Sequence, residues 1–191
     1  GWDLSEFDKF DEAKEKLLGG EGFMGFAKLW ELAYDHEKVL NQQKGLWMKG
    51  SLSTMHPESV EDSAKQMKTL AHKLNIQLAT EYTKPAGVAN SIKQSVIKFQ
   101  AYFGLIHAVC NPGLKKEHWE EIANIKGIDI SAAAIPGMGP NGVPEGKDFT
   151  LAALINCDFD QRVDEIAEIA DTASKEYQIE KSLLEQKAEW E

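Results

Sequence analysis

A chain of 191 residues, 42% of them hydrophobic, can bury a sizeable core, and its length lies between one large domain and two small ones. A formal charge of -10 with Arg162 as the single arginine excludes the basic stripe that nucleic acid or an anionic membrane surface requires. No apolar run approaches the roughly 20 residues that span a bilayer, no signal-peptide pattern opens the chain, and Cys110 and Cys157 lack metal-type spacing, so a soluble chain with two reduced, isolated thiols is expected.

The acidity is local, because residues 158 to 191 carry eleven acidic against four basic side chains. The chain opens without Met and closes on Glu189-Trp190-Glu191 while a helical pattern is still running, which predicts a piece of something longer.

In chain order, Phe7, Phe10, Ala13 and Leu17 recur at steps of three and four and predict a short amphipathic helix between Leu4 and Leu18. After Gly19-Gly20-Glu21-Gly22, a second helical pattern runs from Phe23 to Trp47 through Phe26, Leu29, Ala33 and Leu40, with Trp30, Tyr34 and Trp47 widening its buried face. Gly50-Ser51-Leu52-Ser53 is a turn, and Pro57 suits the first turn of the next helix, where its missing N–H costs nothing. There Val60, Ala64, Met67, Ala71, Leu74 and Leu78 step 4, 3, 4, 3, 4, until Thr83-Lys84-Pro85 closes the run. The following helix carries Val88, Ile92, Val96, Phe99, Phe103 and Ile106, and the short connector predicts that the two pack as an antiparallel pair.

Asn111-Pro112-Gly113 then breaks the helical run. Pro112 has no N–H and disfavours a helical Asn111, while Gly113 tolerates backbone angles that other residues avoid. Helix resumes through Lys115-Lys116-Glu117-His118-Trp119-Glu120-Glu121-Ile122, with Trp119 and Ile122 on one face, so a buried corner is expected. Residues 131 to 148, dense in Ala, Gly and Pro, read as a mobile surface loop. Thr150 caps a short helix through Leu154, and Asp158 opens the last helix, whose stripe is Phe159, Val163, Ile166, Ala170, Ala173 and Tyr177. Continuous to Trp190, it would be roughly 50 Å long. Asp158 with Arg162 and Asp171 with Lys175 are spaced to pair across one turn. No alternating strand pattern appears. The fold expected is all-α: an elongated bundle of long antiparallel helices with one Gly/Pro-rich loop.

Tests for chemistry fail one after another. Gly137-Met138-Gly139-Pro140-Asn141-Gly142 has the spacing of a dinucleotide fingerprint but lacks the leading strand and following helix that give it function. Asn141-Gly142-Val143-Pro144-Glu145-Gly146-Lys147-Asp148 approaches a phosphate-binding loop, yet Asp148 stands where a magnesium-binding Ser or Thr is needed and repels phosphate. Asp158, Asp160 and Asp164 lack the glycine turn and closing glutamate of a calcium loop. His36, His56, His72, His107 and His118 form no zinc pattern, though an imidazole at the His118 corner can bond free backbone carbonyls. Neither cysteine has a motif that names a base partner. Trp2, Trp30, Trp47, Trp119 and Trp190 read as packing rather than a ligand pocket. No catalytic, cofactor-binding or metal residue is assigned.

Two segments taken together resemble a known family: Asn111-Pro112-Gly113-Leu114 followed by His118-Trp119-Glu120-Glu121-Ile122, and Ala173-Ser174-Lys175-Glu176-Tyr177-Gln178-Ile179-Glu180-Lys181-Ser182-Leu183 running to Glu189-Trp190-Glu191. They are similar to the linker region of dynein heavy chains, upstream of the ring of ATPase modules. Leu29-Trp30, Trp47-Met48-Lys49-Gly50 and the stretch from Val88 to Phe99 match weaker parts of the same pattern, and Cys110-Asn111-Pro112-Gly113-Leu114 is more similar to axonemal than to cytoplasmic chains. The signature residues carried by the resemblance are Asn111, Pro112, Gly113, His118, Trp119, Lys175, Glu176, Tyr177, Glu180, Lys181 and Trp190.

The resemblance implies one linker region, with helical hairpins over 1–110 and, over 111–191, a corner helix, loop and long acidic helix. It implies a non-catalytic mechanical element of an ATP-driven microtubule motor, with ATP and magnesium confined to the parent ring. Its partners would be the AAA+ ring of the same heavy chain and the tail with its associated chains. The microtubule would be reached only through distant parts. No nucleic acid or membrane partner is implied, and the expected location is the cytoskeleton, in a ciliary or flagellar axoneme. A static helical scaffold resembling spectrin-type bundles is the alternative, and a helical enzyme with an unrecognised pocket the third reading.

Overall fold

A computed structural model of the chain describes residues 21–41, 44–127, 144 and 148–189. It is all-α. The helices are α1 (Glu21–Leu40), α2 (Leu46–Lys49), α3 (Pro57–Ala79), α4 (Thr83–Gln100), α5 (Phe103–Val109), α6 (Lys116–Ala123), α7 (Leu151–Asn156) and α8 (Val163–Glu189), with 3-10 turns at Leu52–Thr54 and Phe159–Gln161. An isolated antiparallel bridge pairs Ser51 with Thr150. The helix expected over 4–18 and most of the loop at 131–148 lie outside the described residues.

The described chain divides into two compact units, residues 21–38 with 63–98 and residues 39–62 with 99–189. In the first, α3 buries the stripe its spacing predicts: Ala64, Met67, Ala71, Leu74 and Leu78 are all buried. Leu78 lies against α1 at Gly25, and Phe26 meets Tyr82 edge-on with ring centroids 4.8 Å apart. The buried face of α1 is Leu29 and Leu32, and Trp30 and Tyr34 do not widen it, being 76% and 71% exposed. Within this unit the buried positions of α4 are Ala86, Ala89, Ile92 and Val96, while Val88 is 48% exposed. Thr83-Lys84-Pro85 begins α4 rather than closing α3, since Pro85 in a first turn sacrifices no helical hydrogen bond.

The second unit corrects three expected continuities. The pattern from Phe23 to Trp47 is two helices, because α1 ends at Leu40 and the chain returns so tightly that Gly45 N–H donates to Asn41 O at 2.7 Å. A Cβ at Gly45 would stand 2.5 Å from Val39 O, so only glycine fits. Trp47, on α2, stacks on Phe99 with centroids 5.1 Å apart. The helix expected from Val88 to Ile106 is broken at Tyr102, whose backbone (φ -89°, ψ -2°) and i−3 bond to Phe99 O tighten the turn before α5. The last helix starts at Val163, not Asp158: Asp158 takes a left-handed conformation (φ 61°), which a short polar side chain tolerates, and the 3-10 turn after it carries Phe159 fully into the core. α8 is therefore 27 residues long, about 40 Å.

Thr150 caps α7 as expected, its hydroxyl accepting from Ala153 N–H at 3.2 Å. Leu52 N–H donates to Phe149 O at 2.8 Å, which ties the returning chain to the turn after α2. Phe149, Leu151 and Leu154 are buried, and α7 packs on α2 while α5 and α6 both pack on α8.

Candidate functional site

The corner expected at Asn111-Pro112-Gly113 exists, and it is tied to one face of α8. Asn111 begins it with a side-chain turn: its Oδ1 accepts from Gly113 N–H at 2.9 Å, and Leu114 N–H returns to Asn111 O at 3.2 Å. The Asn111 amide nitrogen then donates to Ala170 O at 2.7 Å and to Ser174 Oγ at 2.6 Å on α8. An amide has two donors, and both are used between helices.

Gly113 makes the close approach possible. A Cβ there would lie 2.6 Å from Ala173 O, 2.9 Å from Ala173 C and 3.1 Å from Tyr177 Cβ. Backbone thus meets backbone, with no room for a larger residue. Pro112 stays exposed at the outside of the turn.

The next two residues of the signature secure α6. Lys115 N–H donates to His118 Nδ1 at 3.1 Å, occupying one of the amide donors that a helix N-terminus leaves unpaired. With Nδ1 accepting, the imidazole proton sits on Nε2, which faces Glu176 Oε2 at 3.3 Å. His118 therefore takes a backbone amide, not the carbonyl expected of it. One turn farther along α8, the Lys115 ammonium pairs with Glu180, and that hydrogen bond holds the Lys115 pKa above its ordinary value. Trp119 and Ile122 are buried, Trp119 edge-on to Phe149 with centroids 5.8 Å apart.

Six of the signature residues thus come together at the clamp: Asn111 bonds Ala170 and Ser174, Gly113 lies against Ala173 and Tyr177, His118 faces Glu176, and Glu180 is held by Lys115. Trp119 supplies the packing beneath them. Lys175 and Lys181 lie exposed on α8, and Trp190 lies outside the described residues. The sequence reading missed the roles of Ala170, Ser174 and Lys115. Its available signal was the pair of small residues Ala170 and Ala173 inside an otherwise large apolar stripe, which marks a place where another backbone can come close.

The polar side chains around the corner are engaged with neighbours. A recess of about 470 Å³ beside the corner is lined partly by His107, Cys110, Asn111 and Ser174, but these side chains already have partners. His107 Nε2 faces Glu61 at 3.1 Å, and the Cys110 thiol donates to Leu52 O at 3.5 Å. Burial pushes the Cys110 thiol up to about 11, which keeps it protonated and a poor nucleophile. Cys157 is buried and forms no disulfide. Arg162 pairs with Glu165 at 3.2 Å rather than with Asp158, which accepts from Gln161 instead. Among the described residues no group of three or more His, Cys, Asp or Glu is placed to hold a metal ion, and no helix is long and apolar enough to cross a membrane. The fingerprint-like stretch at 137–142 lies outside the described residues, as does most of the loop-like stretch at 141–148.

Relatives share the sequence over nearly its full length. The chain is 28% identical over 165 residues, 86% of its length, to mouse dynein axonemal heavy chain 3. It is 24% identical over 190 residues to mouse dynein axonemal heavy chain 1, and 26% identical over 163 residues, 85% of its length, to the dynein-1-beta heavy chain of the flagellar inner arm I1 complex of Chlamydomonas reinhardtii. It spans only 4%, 4% and 3% of these three relatives. No solved structure matches it significantly. Residues 21–191 match the model of dynein heavy chain, N-terminal region 2, and the chain belongs to that family.

Proposed function

We propose that this segment is a non-catalytic mechanical linker of a dynein-type, ATP-driven microtubule motor. In that role it transmits nucleotide-dependent changes of an ATPase ring, carried elsewhere in the same heavy chain, into displacement of the tail. ATP and magnesium act in the ring, and this segment's partners are the ring, the tail and the chains associated with the tail. The named relatives are axonemal or flagellar chains, which favours work in a cilium or flagellum.

The observation that carries the reading is the clamp. α5 and α6, on either side of the Asn111-Pro112-Gly113 turn, are both packed on α8, and contacts at Ala170, Ala173, Ser174, Glu176 and Glu180 fix the corner to successive turns of that helix. Load on α8 passes into the corner through polar bonds of defined geometry, as a mechanical part requires.

The test uses the full heavy chain carrying His118→Ala with Glu176→Ala. The linker reading expects ATP turnover in solution to stay within about twofold while microtubule gliding slows several-fold, since only the coupling element is altered. A static scaffold leaves gliding at its original speed. Loss of hydrolysis in proportion to motion assigns this segment to the chemistry, and either outcome overturns the proposal.

A further inference from the structure

We infer that the corner at residues 111–115 is a register lock on α8: it holds the helix at one position along its own axis, with a steric stop in one direction and a polar latch in the other. The inference goes beyond the linker reading and stands on the contacts alone.

The stripe that α8 turns toward the corner runs Ile166, Ala170, Ala173, Tyr177, Glu180 and Leu184, with only the two alanines small. Gly113 sits over the Ala173 backbone, so close that a single added carbon would stand 2.6 Å from the carbonyl oxygen. Sliding α8 by a turn toward its N-terminus brings Tyr177 beneath Gly113. Its β-carbon is already 3.1 Å from where a glycine side chain would begin, and the ring behind it has no space to enter. That direction is stopped by bulk.

Sliding toward the C-terminus brings Ala170 beneath Gly113, a side chain of the same size as Ala173. What opposes this movement is polar: Asn111 loses the Ser174 hydroxyl and His118 loses Glu176, while Lys115 only exchanges Glu180 for Glu176, which takes its place. A helical turn is about 5.4 Å, so the movement is large enough to break the Asn111–Ser174 and His118–Glu176 contacts together. Apolar faces alone would not choose between such registers, because burial is non-directional. The amide and the imidazole choose one.

The test places nitroxide-bearing residues at two exposed positions of the 191-residue chain, Glu121 on α6 and Lys181 on α8, and measures their separation by pulsed electron paramagnetic resonance. The parent chain is expected to give one narrow distance. Asn111→Ala is expected to add a second population displaced by up to about 5 Å, to one side only, as the latch weakens and the stop remains. Gly113→Ala is expected to abolish the parent distance. Should that variant unfold, Asn111→Ala combined with Ser174→Ala carries the test. An unchanged single distance in Asn111→Ala and in the double variant refutes the latch, and populations on both sides of the parent distance refute the stop at Tyr177.

Discussion

α8 is one helix with two halves that live in different environments. Through Ala173 its inner stripe is sealed, with Ile166, Ala170 and Ala173 at 0%, 2% and 0% exposure; after Glu180 every described side chain is exposed, Leu183 at 60% and Leu184 at 68%. The stripe itself does not stop, since Leu184 stands one heptad beyond Tyr177. What stops is the cover. α5, the corner and α6 reach along the helix as far as the Lys115–Glu180 pair. Helices in proteins hold mostly by packing of a buried face, so the two halves should answer very differently to the same change.

The largest effect is expected from removing the packing beneath the clamp. Trp119 is 2% exposed and meets Phe149 edge-on, so Trp119→Ala should cost about 3 to 5 kcal/mol, the range for deleting a buried aromatic. Thermal melting should fall accordingly. Hydrogen exchange should quicken at residues 163–174, with little change at 181–188, where the side chains already face solvent. An unchanged melting temperature would show that Trp119 does not hold the covered half in place.

Parts of this contrast are legible in the sequence and parts are not, for physical reasons. The α3 stripe from Val60 to Leu78 is buried at all six positions, because an uninterrupted helix keeps its 3.6-residue period. α4 misleads: hydropathy selects Val88, but the buried neighbours are Ala86 and Ala89, since close helix approach favours small side chains over merely apolar ones. Trp30 and Tyr34 mislead likewise, for an apolar ring on a helix says nothing of whether another element covers it. The breaks at Gly45, Tyr102 and Asp158 arise from backbone angles and turn bonds to which a hydrophobic period is blind. As for the clamp, both of its strands of sequence are identifiable, and Trp119 and Ile122 do share a buried face. Their pairing is not identifiable, because Asn111 and Ser174 are 63 residues apart and one acceptor is a helix carbonyl that any residue type presents.

The covered side should also show a dependence on pH that the exposed half lacks. Burial raises Cys110 from the ordinary 9.0 to about 11, so the folded chain keeps a proton that the unfolded chain releases. Stability from this group is complete below pH 9 and is lost as pH rises through about 11, reaching about 2 to 3 kcal/mol at 1.36 kcal/mol per unit. Lys115, raised by its bond to Glu180, acts with the same sign, but its side chain is open to solvent and it adds little. Urea unfolding at pH 8 and pH 10.5 should show a drop that Cys110→Ala largely removes. An equal drop in that variant would place the titrating group elsewhere.

The smallest effect comes from making one substitution on each side of the boundary. Ala173→Leu forces three carbons into a site with no exposed surface and displaces the backbone that Gly113 touches, an overpacking expected to cost about 1 to 3 kcal/mol. Ala188→Leu makes the same chemical change on the same helix where the side chain is exposed, and surface changes of this kind stay within about 0.5 kcal/mol. Leu and Ala are both strong helix formers, so intrinsic propensity cannot separate the two sites. The difference between their denaturation midpoints therefore isolates the cover supplied by the corner. If Ala188→Leu destabilises the chain as much as Ala173→Leu does, the distal half is packed as firmly as the proximal half, and the boundary at Glu180 is not where the clamp ends.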